Sequence, residues 1–427
     1  MSHSISPQKT GRVFFGWYIV CAGFICLWIN AGIGFYSFPV FLVELTNKLG
    51  WGRGSTAVGI SITFIIGGFA SPVVGRLLPN LGPKKLIIAG SILMSLAFIA
   101  FSFMTALWQF YLICSFLAIG LSCTGTMPAS YVISDWFQRK RGRAMGIMMI
   151  GVGLGGLTFV PLTNRLIQSL ELRQTFIAYG LFISLAIVPI TSIIIRRRPA
   201  EAGVMPDGDL EAVARTSGSD SSSPAAPVSW KLKEALRTKT FWAIAAAFLL
   251  ATFGQTPILI HQVAYFQDIG ISAEKAAAAL GLCAFLGIGG KLFFGAMADR
   301  YPARYAMMLC FGLQFVGTLL LLKTGGLGSP YWFVIVWGFA MGGVIALEPL
   351  IVVECFGMES FGVILGMLYV LTTIGGSSGA PFAGFIFDFF KSYNAAFVLF
   401  AVTYLFATAF SLLAVPPCKI SIRPTIL

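Results

Sequence analysis

The chain has 427 residues, 57% of them hydrophobic and 11% charged, with a mean hydropathy of +0.86, whereas soluble domains carry roughly 25% charged residues; a soluble fold is excluded. A formal charge of +13 points to nucleic acid in a soluble chain, but here the basic residues flank apolar runs and act as topological anchors. Eight cysteines, at positions 21, 26, 114, 123, 283, 310, 355 and 418, lack CxxC or CxxH spacing, so neither a disulfide framework nor a zinc site is suggested.

Apolar runs of about 20 residues, each able to cross ~30 Å of hydrocarbon, recur from residue 14 to residue 415. They predict twelve spans, at 14–41, 54–76, 85–104, 108–134, 144–167, 175–195, 241–267, 274–298, 303–323, 330–354, 361–387 and 395–415. The fold class is an all-α polytopic membrane protein. The first span is not a signal peptide: Lys9 and Arg12 precede it, but its apolar run passes Phe35 without a small-residue exit.

With the N-terminus in the cytoplasm, 21 of the 29 Lys/Arg fall inside, 7 outside and 1 in the membrane. This asymmetry predicts both termini on the cytoplasmic side of an inner membrane. The inner clusters are Arg139-Lys140-Arg141-Gly142-Arg143 and Arg196-Arg197-Arg198. Residues 196–240, rich in Ser, Pro and charge, bury too little apolar area to fold alone. They divide the chain into a first bundle (1–195), a cytoplasmic linker (196–240) and a second bundle (241–427).

The second bundle repeats the first. At an offset of 220, Gly75 falls on Gly295, Gly142 on Gly362, Gly146 on Gly366, Gly155 on Gly375, Gly156 on Gly376 and Pro161 on Pro381. Small residues let helices approach closely, so coincident glycines mark a duplicated six-helix unit. Repeats of this kind hold a substrate between them near the midplane and move it by rocking.

Gly295-Ala296-Met297-Ala298-Asp299-Arg300-Tyr301, with Arg304 beyond, resembles the short loop motif of the major facilitator superfamily. That resemblance implies a cytoplasmic latch, for which Asp299, Arg300, Arg76 and Arg141 are the candidates. The first-half copy, Gly75-Arg76-Leu77-Leu78-Pro79, has proline where the acid belongs. Trp136-Phe137-Gln138-Arg139-Lys140-Arg141 with Gly142-Arg143-Ala144-Met145-Gly146 resembles the signature of monocarboxylate transporters and oxalate:formate antiporters, and Gly34-Phe35-Tyr36-Ser37-Phe38-Pro39 resembles the monocarboxylate group. After that proline the family has a substrate-handling lysine, where this chain has Val40.

Three ionisable residues sit away from span ends: His261, Lys291 and Glu348. Each costs ~2.5–3.5 kcal/mol at membrane depth on insertion scales, so each should face the interior with a purpose or a partner. Lys291 and Glu348 each lie roughly 10 Å above the cytoplasmic end of their helices, so they are expected to share a layer. Lys291 is read either as the cation for a substrate carboxylate or as a structural residue, an ion-pair member or a snorkelling lysine. The resemblance favours the first, because the family carries an arginine at this place. Glu348 has three open roles: static partner of Lys291, proton-coupling group, or helix-end acid. His261, roughly 30 Å up its helix, belongs near the outer mouth, as a lining residue or a gate. Tyr36, Asn30, Thr126, Tyr131, Gln255 and Tyr369 are the candidate hydroxyl and amide contacts, with Tyr369 closest to the Lys291 layer.

The sequence-based expectation is a monomeric secondary transporter of a small organic carboxylate, driven by proton symport or by anion exchange. A drug exporter of the same superfamily is the rival. No cofactor, metal, nucleic-acid or catalytic cluster is expected.

Overall fold

The computed structural model describes residues 14–51, 53–195, 207, 230–324, 330–390 and 392–417. Of the expected linker only Asp207 and residues 230–240 are among them, and both termini lie outside. Every regular element among the described residues is helical. Helix α1 (Gly16–Ala31) passes through a π-turn (Gly32–Tyr36) into α2 (Phe38–Leu49), followed by α3 (Arg53–Leu81), α4 (Pro83–Phe101), α5 (Leu107–Thr124), α6 (Thr126–Trp136) and α7 (Arg141–Ile194). After the short α8 (Leu232–Ala235) come α9 (Lys239–Asp268), α10 (Ala273–Ala298), α11 (Ala303–Lys323), α12 (Pro330–Phe356), α13 (Phe361–Phe390) and α14 (Asn394–Leu412). Phe69, Leu185, Ile193, Phe385 and Phe389 are between 64% and 81% exposed, which only a hydrocarbon surround accommodates.

The spans are legible, and two of them are continuous. Eleven helices among the described residues are long and apolar enough to cross a membrane, and the fifth and sixth expected spans run on as the 54-residue α7. That element is not straight. Met148 lies against Gly23 and the Thr191 hydroxyl lies 3.8 Å from Cys26 Sγ, although a straight helix would hold Met148 and Thr191 roughly 65 Å apart. Both touch one turn of α1, so α7 doubles back, and its single non-helical residue, Glu171 (φ 65, ψ 163), is where it does.

The fourth expected span is broken for a covalent reason. Pro128 has no N–H to offer the Thr124 carbonyl four residues earlier, and Gly125 between α5 and α6 is extended (φ −79, ψ −162).

The two repeats meet through the glycines that the offset pairs. A methyl on Gly142 of α7 would overlap the Gly295 carbonyl of α10, and one on Gly75 of α3 would overlap the Gly362 carbonyl of α13. Gly75 is the repeat mate of Gly295, and Gly142 of Gly362, so this is one crossing made twice with partners exchanged. The next turn repeats it, with Gly146 on the Lys291 backbone and Gly366 on Ser71 and Pro72. Ser71 is therefore the mate of Lys291. At the place where one repeat carries a cation, the other carries a hydroxyl that donates to Gly67 O at 2.9 Å.

A side chain at such a crossing must force the repeats apart. Overpacking typically costs about 1–3 kcal/mol. Gly142→Leu is expected to lower the Tm of detergent-purified protein by several degrees. Gly312→Leu, where a Cβ meets nothing within 4 Å, should leave it unchanged.

Candidate functional site

Lys291 sits mid-helix on α10 and is 6% exposed. Its backbone is pressed on Gly146, and its ammonium lies 3.3 Å from where a methyl on Gly153 would stand, so the cation leans on α7 of the opposite repeat. Among the described residues it has no ion-pair or hydrogen-bond partner. An ammonium removed from water without compensation is costly, and glycine at both contact positions of α7 leaves room beside it.

Glu348 on α12 is also 6% exposed, and its Oε1 has no hydrogen-bond partner. The two charges do not form an ion pair, so of the three roles open to Glu348 the static partner of Lys291 is not the one seen. Height along a helix follows from residue number, whereas the direction a side chain takes follows from packing, and here Lys291 turns to α7. The Tyr369 hydroxyl, by contrast, reaches the opposite repeat. That hydroxyl is 2.9 Å from Thr126 Oγ1, which joins α13 to the start of α6 across the repeats.

The other candidates separate. Tyr36 ends the π-turn, and its ring lies 3.0 Å from where a methyl on Gly156 would stand, one helical turn along α7 from Lys291. The turn is held by Ser37, whose hydroxyl donates to Gly32 O at 2.8 Å and meets the Thr163 hydroxyl at 2.8 Å, which in turn meets the Tyr179 hydroxyl at 2.7 Å. Asn30 is engaged elsewhere: its amide donates to Leu121 O at 3.1 Å and Thr124 Oγ1 at 2.6 Å, covering the carbonyl end that the Gly125 break exposes. Tyr131 packs on Phe361 across the repeats at 6.2 Å between ring centroids. Gln255 keeps a buried Oε1 without a partner. His261 Nδ1 lies 3.2 Å from the Tyr393 hydroxyl, in an aromatic cluster where Tyr393 stacks on Phe387 at 4.4 Å.

The position of Asn30 gives it a structural duty that can be tested. An unsatisfied buried group costs about 1–3 kcal/mol. Asn30→Ala is therefore expected to lower the Tm while leaving the affinity for any ligand between the repeats near that of wild type, as read by ligand titration of the purified variant.

Asp299, the candidate latch acid, crosses to the opposite repeat with different partners from those expected. Asp299 caps the start of α7, accepting from the Gly142 N–H at 2.5 Å and the Arg143 N–H at 3.0 Å, where a carboxylate is favoured by the helix dipole. Its ion-pair partner is Arg143, at 3.8 Å. Burial pushes the Asp299 carboxyl above its ordinary range, opposed by those hydrogen bonds and by the Arg143 charge. Arg141 turns back instead, donating to Phe137 O at 3.0 Å and Ser134 O at 3.1 Å. Arg300 and Arg76 are exposed and do not join Asp299. Asp207 was not foreseen: its carboxylate accepts from the N–H groups of Gln138 at 2.9 Å and Arg139 at 2.7 Å. Arg143 stood in view inside the basic run, but nothing in that run distinguishes it from Arg141.

An all-helical membrane protein whose two repeats cross at matched glycines, with a buried cation between them, has the build of a two-repeat carrier. The Major Facilitator Superfamily model matches residues 23–380, and the chain belongs to that superfamily. Among its relatives, monocarboxylate transporter 13 of Rattus norvegicus is 26% identical over 419 residues, which cover 97% of this chain and 92% of the relative. The oxalate:formate antiporter of Oxalobacter formigenes is 22% identical over 427 residues, covering 97% and 95%. The fold is similar to that of the E. coli fucose:proton symporter, with a TM-score of 0.68 at 14% identity over 93% of this chain and 98% of that one. The protein is a multi-pass membrane transporter and not an enzyme.

Proposed function

We propose that the protein carries a small organic monocarboxylate across the cytoplasmic (inner) membrane by alternating access, with a proton as the coupled ion. The observation that carries this reading is Lys291, a buried ammonium without a counter-ion among the described residues. Its burial costs ~2.5–3.5 kcal/mol on insertion scales, and a hydrogen bond to a charged group returns about 1.5–3 kcal/mol. A bound carboxylate thus offsets most of the cost. Monocarboxylate transporters among the relatives support the same class. Tyr36, one turn along α7, and Tyr369 complete the substrate's surroundings, whereas Asn30 serves the α5–α6 break. Glu348, buried with an unpartnered oxygen, takes the proton, and His261 with Tyr393 guards the far mouth. The asymmetry of Lys and Arg supports cytoplasmic termini and a cytoplasmic Asp299 latch.

Exchange of one anion for another is the second reading, favoured by similarity to the oxalate:formate antiporter. Uptake of labelled monocarboxylates into proteoliposomes at two pH values separates them. Symport predicts uptake into empty vesicles that rises with an inward proton gradient; exchange predicts uptake only into vesicles preloaded with anion. Uptake of neutral solutes alone would remove both readings.

A further inference from the structure

Lys291 and Tyr36 reach one face of α7 from two different helices. Methyls built on Gly153 and Gly156 lie 3.3 Å from the ammonium and 3.0 Å from the tyrosine ring respectively. Residues three apart on a helix stand ~5–6 Å from each other on the same face, which places the ammonium and the ring no more than about 12 Å apart. They do not touch. A cation–π contact requires a separation within about 6 Å, and among the described residues neither Lys291 nor Tyr36 enters one.

The interval between them has a shape. Its floor is the glycine backbone of α7, flat because neither position carries a side chain, and Ile288 borders it 3.6 Å from the Gly153 methyl position. One end is a cation without a partner. The other is an aromatic face, since Tyr36 is 37% exposed although it stands deep in the protein. A carboxylate occupies ~2.7–2.9 Å beside an ammonium, and an aromatic ring sits ~4.5–7 Å from the ring it packs on, centroid to centroid. A separation between those limits, beyond about 6 Å and within about 12 Å, accommodates one ring attached to a carboxylate. An acid of two or three carbons satisfies Lys291 and leaves the tyrosine face bare.

We infer that the preferred substrate is an aromatic monocarboxylate, held with its carboxylate on Lys291 and its ring lying over the α7 glycines against Tyr36. This rests on the monocarboxylate reading and narrows it. Tyr36 acts here as a specificity residue, and the Ser37, Thr163 and Tyr179 hydroxyls position it by fixing the π-turn.

The test is uptake of radiolabelled benzoate and of radiolabelled lactate by the full chain in proteoliposomes, compared as a ratio. Wild type should favour benzoate by about tenfold. Tyr36→Leu should bring that ratio down about fivefold, the scale of an aromatic pair, and Tyr36→Phe should keep it. Gly156→Ala, whose methyl displaces the ring, should lower the ratio in the same direction and serves if Tyr36→Leu does not fold. A wild type that favours lactate would overturn the inference and leave the monocarboxylate reading standing. Equal losses for both acids in Tyr36→Leu would also overturn it. Uptake of neither acid beside uptake of a neutral sugar would overturn both.

Discussion

Lys291→Ala is expected to reduce carboxylate uptake in proteoliposomes by about a hundredfold, because a charge-assisted hydrogen bond at a desolvated site is worth up to about 3 kcal/mol. The variant should remain folded. No counter-ion among the described residues is orphaned by the change, and an uncompensated charge is removed, so its Tm should equal or exceed that of wild type. Lys291→Arg should keep part of the activity, since the charge persists while the fork-shaped guanidinium is broader than an ammonium. Binding of a labelled monocarboxylate to Lys291→Ala with wild-type affinity would end the assignment of this residue to the substrate.

The second large effect belongs to Glu348→Gln. Had Glu348 been the partner of Lys291, its neutralisation would strand a buried cation at a cost of about 3–5 kcal/mol. Since the two form no ion pair, Glu348→Gln should fold with little loss of stability. Lys291→Met and Glu348→Met should then have additive effects on the Tm, whereas coupled neighbours deviate from additivity by 0.5–3 kcal/mol. If the carboxyl carries the coupled proton, Glu348→Gln should lose the dependence of uptake on an inward proton gradient. Exchange of labelled for unlabelled substrate should survive, because a loaded carrier still turns over without net proton movement. Gradient-driven uptake like that of wild type would rule out the coupling role.

The residues named in these experiments differ in how far their roles were readable. The spans were legible because a bilayer imposes one length on every helix, and their expected bounds agree closely with elements such as α11, expected at 303–323 and found at Ala303–Lys323. The glycine crossings were legible because close approach leaves only the smallest side chain at the contact, and the offset that pairs Gly75 with Gly295 is the one that pairs them in space. Burial of Lys291 and Glu348 was legible too, since Lys291 stands eight residues before Asp299 and Glu348 six before Glu354, each well inside an apolar span.

What the linear order left undetermined is rotation about each helix axis. A helix that is apolar all round carries no stripe to show which side faces a neighbour. Depth was therefore computable at ~1.5 Å per residue while direction was not. Packing decided that Lys291 turns to Gly153 and away from Glu348, that Asn30 mends the break at Gly125, and that Tyr36 rests on Gly156. It also decided that Arg143, two residues from Arg141 and so on another side of α7, meets Asp299. The sequence by itself determined which residues lie in the membrane, how deep they lie, and which places the duplication makes equivalent. Only the tertiary structure determined which of them face one another, because that depends on contacts between helices whose outer and inner faces are equally apolar.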